Sequence, residues 1–396
     1  MVGEHFAMSL RCVGGLLRVI CCAIVACSLH HQAAAVDAVP IEIEVSGVDD
    51  PLRSNIRAHL VSLELEQFAS GPRRERRIDV AIRRAAAAVG HYDIDYVLSW
   101  QAQVLTVQVE AGPVVRWVKP QLRVADDAIL DVAVLGPTLV HPFVIGEAMN
   151  HEVYDRFKRQ WLDTARAHGF LDAHYSESRL RIEPEELRAK AILTLHGGPR
   201  YRISSVSFNG GSINQKMLRR YSPLRRGEYF RWNRVNILRR NLERSGYFRL
   251  VNVETVVDEA EHTVAVLVEL IDGATHDVGI GIGFATDTGL RSRLRWNIPR
   301  FNRYGHSLYT QALLSEPLQE LSTTLRIPLT DPLYRSFNIS AGWERRRVES
   351  TTTKVGSLDA RLMDQWWDNW LTSFGIGYNR ETSEEGDEVS LLTSYL

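Results

Sequence analysis

Two hydrophobic periods divide this sequence, a helical one in roughly the first two thirds and a strict alternation in the rest. In three segments, apolar residues recur every three or four positions, which places them on one face of a helix. These helix-face residues are Ile78, Ile82, Ala85, Ala86 and Val89, then Val153, Phe157, Trp161 and Ala165, then Val235, Leu238 and Leu242. The pattern therefore predicts three amphipathic helices in three successive segments.

A glycine ends each of these predicted helices, at Gly90, Gly169 and Gly246. The spacings are 79 and 77 residues, and glycine suits a left-handed helix cap because it has no Cβ. Opening strands are predicted at 41–45, 114–124 and 201–208, and closing strands at 104–109, 191–195 and 264–270. The repeat predicts three tandem α+β modules, each with the order strand, helix, helix, strand, strand.

Apolar and small or polar residues alternate from about residue 276 onward, which is the period of strands with two unlike faces. In the first strand, Val278, Ile280, Ile282 and Phe284 alternate with glycines. Aromatic residues are expected near strand ends, as in the girdles of outer-membrane barrels: Tyr304, Tyr309, Tyr334, Trp343, Trp366, Trp367, Trp370 and Tyr378. A soluble β-sandwich alternates similarly, but these aromatics favour an antiparallel membrane β-barrel.

The first 35 residues have the layout of a secretory signal. Arg11 and Arg18 precede an apolar run at 19–29, and alanines at 33–35 suit a cleavage site. The run is shorter than the roughly 20 residues that span a bilayer as a helix. A disordered or membrane-anchoring tail and a lipoprotein signal with Cys27 as the lipid-bearing residue are alternatives. All four cysteines lie in this segment, so a disulfide framework or cysteine zinc site is excluded elsewhere.

The net charge of −1 gives no reason to expect nucleic-acid binding, but residues 216–249 carry eleven basic and two acidic side chains. Six arginines are candidates for contact with anionic lipid head groups or a barrel rim: Arg219, Arg220, Arg225, Arg226, Arg239 and Arg240. A solvated helix face is the alternative. A second cluster at 73–77 is interpreted as an exposed loop between helices.

The residues predict no catalytic, cofactor or metal site. Gly279, Gly281 and Gly283 lack the spacing and following helix of a dinucleotide loop. His91, Asp93 and Asp95 could share a strand face and bind a metal, but no fourth ligand is near in sequence, which favours a solvent-facing edge. Neither a Gly-x-Ser-x-Gly elbow nor a His-Glu-x-x-His pair occurs.

Three stretches carry a resemblance to a known family: "ERSGYFRLVNVE" at 243–254, "RWNIPRFNRYGHSL" at 295–308 and "LRIPLTDPLYRSFNISAGWERR" at 325–346. With the module pattern, they resemble POTRA (polypeptide-transport-associated) domains ahead of a barrel, as in the TamA family of the BamA-like insertase superfamily. This predicts a signal peptide at 1–35, POTRA modules at 36–113, 114–199 and 200–273, and barrel strands at 274–396.

The resemblance implies an outer-membrane protein assembly factor with its POTRA modules in the periplasm. It implies a TamB-like partner anchored in the inner membrane, outer-membrane protein clients and outer-membrane lipids. Residues 278, 280, 282 and 284 would then form the strand of an openable barrel seam. About eight strands are expected after residue 273, against sixteen in the family, so a chain truncated within the barrel is predicted. A two-partner secretion pore and a soluble periplasmic scaffold are the alternatives.

Overall fold

The computed structural model describes residues 41–68, 70–125, 140–286, 289–348, 351–366, 370–384 and 386–395. The signal predicted at 1–35 and the candidate lipoprotein Cys27 lie outside these residues. The described residues form two compact units, one within 41–122, 141–158 and 178–193, the other within 123–125, 140, 159–177 and 194–395.

The first unit begins with a small α+β module. Its elements are β1 (Glu42–Ser46), α1 (Leu52–Val61), α2 (Pro72–Ala88), β2 (Ile94–Gln101) and β3 (Val104–Ala111). The sheet order is β1-β3-β2, with β1 parallel and β2 antiparallel to β3. Ile56, Leu60, Ile78 and Ile82 are fully buried in its core, because the helical spacing turns them all to the sheet. The predicted order of elements is confirmed here.

The arginine cluster at 73–77 lies in the first turns of α2, so its interpretation as a loop between helices was wrong. Pro72 occupies the start of the helix, where a missing N–H costs nothing and the fixed φ is already helical. A helix that begins there places the arginines one to five residues before the first buried residue, Ile78.

Residues 116–196 form β4 (Arg116–Trp117), β5 (Gln121–Val124), α3 (His151–Ala167), β6 (His174–Glu183) and β7 (Arg188–His196). The sheet order is β4-β7-β5, and β6 also pairs with β7. The single strand predicted at 114–124 is therefore wrong. It is divided before Pro120, which has no backbone N–H to donate to a ladder.

The second unit contains another module with the topology of the first. Its elements are β8 (Arg202–Gly210), α4 (Gln215–Arg220), α5 (Trp232–Arg244), β9 (Phe248–Asp258) and β10 (Thr263–Asp272). The sheet order is β8-β10-β9, with β8 parallel and β9 antiparallel to β10. Asn214 caps α4, because its side chain accepts a hydrogen bond from the Met217 amide at 2.8 Å. We refer to this as the third module.

Eight antiparallel strands follow in chain order. They are β11 (Asp277–Ala285), β12 (Gly289–Ile298), β13 (Ser307–Leu314), β14 (Leu318–Pro328), β15 (Ser336–Val348), β16 (Thr351–Trp366), β17 (Trp370–Ser383) and β18 (Glu388–Tyr395). The predicted alternation is thus confirmed as one antiparallel sheet, with β11 and β18 at its two edges. None of the helices in the described part of the chain is long and apolar enough to cross a membrane.

The register of the strands separates an apolar face from a polar one. Val278 lies opposite Trp296, Ile280 opposite Leu294, and Phe284 opposite Leu290. The apolar face continues across the sheet, through Leu321 paired with Trp343 and Leu358 paired with Tyr378. These side chains are more than a third exposed, so this face is suited to an apolar surrounding rather than to water.

The aromatic residues divide between strand ends and strand interiors. Tyr304 and Tyr334 lie in the connections after β12 and β14, at the strand ends nearest the start of β11. Tyr309, Trp366 and Trp370 lie at or near strand ends, and Trp367 lies outside the described residues. Trp343 and Tyr378 lie within β15 and β17, so the expectation of a strand-end position was wrong for these two.

Candidate strand-pairing edge and its junction with the third module

β11 presents an edge that is paired on one side. Among the described residues, its strand neighbour is β12, and its other side carries backbone N–H and C=O groups without a strand partner. The predicted seam residues Val278, Ile280, Ile282 and Phe284 all lie on this strand, with exposed fractions of 56%, 75%, 79% and 75%. β11 therefore combines an open backbone edge with an apolar face.

The glycines of β11 lie opposite arginines of β12. Gly279 faces Arg295 and Gly281 faces Arg293 in the register. A Cβ built on these glycines would lie 3.8 Å from the Arg295 Cβ and 4.0 Å from the Arg293 Cβ, which are ordinary contact distances. The sheet itself therefore does not require glycine here. The glycines instead affect β11 itself. Because they have no side chains, the strand packs less tightly on this face and its register is less firmly fixed.

A buried arginine holds the backbone just before β11. Arg300, in the connection between β12 and β13, has a side chain that is 6% exposed. Its guanidinium donates to the carbonyl oxygens of Tyr247 and Gly273, the latter at 3.1 Å, and lies 3.8 Å from Asp272. The Gly273 amide also donates to the Tyr247 carbonyl at 2.9 Å. The connection between β12 and β13 is thus tied to the third module at Gly273, four residues before β11 begins.

Two buried tyrosines complete this junction. The Tyr247 hydroxyl donates to the Gly305 carbonyl at 2.7 Å, and the Tyr221 hydroxyl donates to the Tyr247 hydroxyl at 3.3 Å. Burial raises the pKa of both phenols, so both stay protonated and able to donate. Gly305 has φ +77° and a Cβ there would lie 2.7 Å from the Tyr247 hydroxyl, so the contact requires glycine.

The six candidate arginines of the third module have different surroundings. Arg220 donates to the Leu329 carbonyl at 3.3 Å, in the connection between β14 and β15. All six are exposed, and Arg239 lies 3.6 Å from Glu243. Arg244, not among the six, donates to the Tyr334 hydroxyl at 3.4 Å. The structure therefore places Arg220 and Arg244 against strand connections and leaves the remainder at the surface.

Three of the exposed arginines line one cleft. Arg219, Arg225 and Arg226 surround a space of about 570 Å³ beside β8, together with Ser204, Ser205 and Ser222. In the described part of the chain these three guanidinium groups make no ion pair. Their charge is therefore available to an anionic ligand or surface.

Sequence reasoning missed Tyr221, Tyr247, Arg300 and Gly305. Tyr247, Arg300 and Gly305 lie inside the stretches that carried the family resemblance, but their contacts join residues 53 and 58 positions apart. An arginine directly after Ile298-Pro299, and a Tyr304-Gly305 pair, were the available signals of a structured connection. Nothing local predicted which residues they meet.

The described residues contain no group of His, Cys, Asp and Glu side chains arranged to hold a metal ion. His91, Asp93 and Asp95 were considered for such a group. The His91 Nδ1 is instead 3.1 Å from the Gly112 carbonyl. His91 precedes β2 in the chain and is not part of that strand.

Comparison with known proteins agrees with this organisation. Residues 42–111 match the family "POTRA domain TamA domain 1", and residues 201–273 match a POTRA family described as "Surface antigen variable number repeat". The structure is similar to that of BamA from Haemophilus ducreyi lacking POTRA domains 1–3, at 13% identity and a TM-score of 0.58. The match covers 71% of this chain, and the chain spans 57% of that BamA chain.

Two further structures are similar at lower TM-scores. CdiB from Acinetobacter baumannii matches 88% of this chain and 67% of its own, at 12% identity and a TM-score of 0.46. BamA POTRA3-5 from Haemophilus influenzae matches 59% of this chain and 96% of its own, at 13% identity and 0.36. The chain thus contains two modules that match POTRA families, and its fold, with an antiparallel sheet after these modules, is similar to that of BamA lacking POTRA domains 1–3.

Proposed function

We propose that this protein is an outer-membrane protein assembly factor that templates strands of its clients on the open edge of β11. The observation that carries the proposal is that β11 has an apolar face and, among the described residues, pairs with β12 on one of its two sides. In hydrocarbon, each unsatisfied backbone group costs several kcal/mol, so an incoming strand that pairs with this edge is strongly stabilised. No covalent chemistry is required.

The glycines of β11 support templating of more than one client sequence. A strand without side chains on one face imposes little register on its partner, so backbone pairing dominates over side-chain fit. The junction at Tyr247 and Arg300 holds the chain at Gly273, four residues before this strand. The template is thus loosely specified along its length and anchored just before its beginning.

We propose a location for each region of the chain. The strands from 274 onward lie in the outer membrane, and the modules at 36–113, 114–199 and 200–273 lie in the periplasm behind a signal at 1–35. The first module binds a TamB-like partner anchored in the inner membrane. The cleft of Arg219, Arg225 and Arg226 binds anionic outer-membrane lipid head groups.

Site-specific disulfide crosslinking tests strand templating. The four native cysteines are replaced by serine, and single cysteines are introduced as Ile280→Cys, Gly281→Cys or Ile282→Cys. Each variant is oxidised in membranes with a small outer-membrane client that carries single cysteines along its last strand. Strand pairing predicts crosslinks that alternate with a period of two along the client, because disulfides require Cβ atoms about 3.8 Å apart.

A matched control lies in the middle of the sheet. Leu321→Cys places a cysteine on the same apolar face, in β14, which already pairs with β13 and β15. We expect little crosslinking from this position. Equal crosslinking from residues 280 and 321, or crosslinking without alternation, would mean that the client meets the apolar surface and not the strand edge.

A further inference from the structure

A groove between α1 and α2 of the first module has the chemistry of a binding site. It encloses about 400 Å³, and its lining includes His59, Leu63, Arg76, Val80, Ala81 and Arg84. Ala81 is buried at the base of the groove. Val80, on the exposed face of α2, is 53% exposed although its side chain is apolar. An apolar depression of this size accepts one or two large side chains.

Positive charge flanks this apolar centre. α2 carries six arginines and two acidic residues. Three of these arginines already have partners: Arg74 stacks on Trp100 at 3.8 Å, Arg77 on Phe68 at 4.1 Å, and Arg83 pairs with Asp79 at 2.8 Å. The structure gives Arg76 and Arg84 no ion pair among the residues that it describes. These two therefore remain available to an external anion.

The spacing of the two arginines defines the ligand geometry. Arg76, Val80 and Arg84 follow one another at four-residue intervals, so they form one row along the helix. The two arginines are two turns apart, about 12 Å along the axis at 1.5 Å per residue. A ligand that matches this row has an apolar side chain between two anionic groups about 12 Å apart.

We propose that this groove binds an acidic amphipathic helix of a partner protein. On such a helix, two carboxylates seven or eight residues apart lie on the same face, and leucines three or four residues from each lie between them. The carboxylates meet Arg76 and Arg84 while the leucines enter the groove at Val80 and Ala81, which is helix-in-groove recognition. The inference rests on the proposed function in one respect: it gives the chemistry of the partner bound by the first module.

The full chain in detergent is tested by fluorescence anisotropy with a synthetic 18-residue helical peptide. The peptide carries glutamates seven residues apart with leucines between them on one face. A second peptide has the same composition but a scrambled order that places leucines and glutamates on different faces, and a third has glutamine for glutamate. We expect saturable binding of the first peptide and much weaker binding of the other two.

Variants at exposed positions locate the site. Arg76→Glu with Arg84→Glu is expected to weaken binding by about tenfold or more, because unlike charges become like charges. Val80→Ser is expected to weaken it severalfold by removing the apolar centre. Arg57→Glu with Arg123→Glu makes the same change in net charge outside the groove and is expected to leave binding unchanged.

Three results would overturn the inference. The first is that the scrambled peptide binds as tightly as the amphipathic one. The second is that both groove variants bind the amphipathic peptide as tightly as the unmodified protein does. The third is displacement of the peptide by phosphatidylglycerol vesicles, which would identify a lipid-binding surface. The result is separable from strand templating, because crosslinking at β11 is measured without the peptide. Peptide binding without alternating crosslinks would refute strand templating but not helix binding in the groove. Alternating crosslinks without peptide binding would refute only helix binding in the groove.

Discussion

The Tyr247 hydroxyl is one of the contacts that join the third module to the connections of the sheet. That hydroxyl donates to the Gly305 carbonyl and accepts from the Tyr221 hydroxyl. Tyr221 and Tyr247 are each 2% exposed, so water does not reach these hydrogen bonds. Removing one partner of a buried hydrogen bond leaves the other unsatisfied, which costs more than the bond itself contributes. The junction therefore depends on one oxygen atom more than on the ring that carries it.

Tyr247→Phe is expected to lower the free energy of unfolding by about 1–3 kcal/mol, since it leaves the Gly305 carbonyl and the Tyr221 hydroxyl without their partner. Chemical denaturation of the full chain in detergent, followed by tryptophan fluorescence, measures the change. Tyr229→Phe is the control, because Tyr229 is 38% exposed and its hydroxyl can bond to water. Equal stability of the Tyr247 variant and the control would show that the hydrogen bond does not hold the junction.

At the scale of elements, β11 differs from the other strands in having a glycine at every second position over Gly279, Gly281 and Gly283. Because a Cβ at Gly281 has room beside Arg293, a larger residue there changes the flexibility of the strand without a clash. Gly356 of β16 also has open space where a Cβ would lie, but its strand is paired on both sides. Substitutions at Gly281 and Gly356 therefore distinguish the effect of a stiffer edge strand from the effect of a stiffer strand within the sheet.

Gly281→Val is expected to reduce client crosslinking at Ile280→Cys by about 2–5-fold, the equivalent of the 0.4–1 kcal/mol by which backbone freedom typically changes. The physical reason is that a β-branched residue stiffens the strand and gives its bare face a fixed shape. Gly356→Val is the control and is expected to leave crosslinking unchanged. If both variants reduce crosslinking equally, the glycines act through the stability of the sheet and not through the edge.

Some elements of the fold were predictable from the sequence and others were not. The helices were predictable because their buried residues, such as Ile78 and Ile82, repeat with one period, and β11 because its glycines alternate. The arginines before Ile78 were misread as a loop because they include no apolar residue, although Pro72 marked a helix start. The junction could not be predicted, because Tyr247 and Gly305 meet through the fold and neither has a local pattern.

At the scale of the whole molecule, the net charge of −1 conceals a strong local imbalance. Residues 216–249 alone carry a net charge of +9, and the cores of the first and third modules are each built from their own residues. We therefore expect a fragment of residues 41–273 to fold without the strands that follow. Circular dichroism and limited proteolysis measure this, and complete digestion to small peptides would contradict it.

The same fragment tests the lipid contact. Binding to vesicles that contain phosphatidylglycerol is expected to weaken as salt rises, since each exposed basic side chain contributes about 1 kcal/mol near an anionic surface and salt screens it. Arg219→Gln with Arg225→Gln and Arg226→Gln is expected to weaken binding, whereas the same change at Arg53, Arg57 and Arg123 is not. Equal binding to neutral vesicles would leave these arginines as a solvated face.

The arginine in the connection after β12 has a mechanical consequence. Because Arg300 binds the Tyr247 and Gly273 carbonyls together, tension applied to the third module is shared between the few residues that lead into β11 and a second path. The second path runs through Arg300 and the Gly305 carbonyl into the hairpin of β12 and β13. A pull on the third module therefore loads β12, the neighbour of β11, as well as β11 itself.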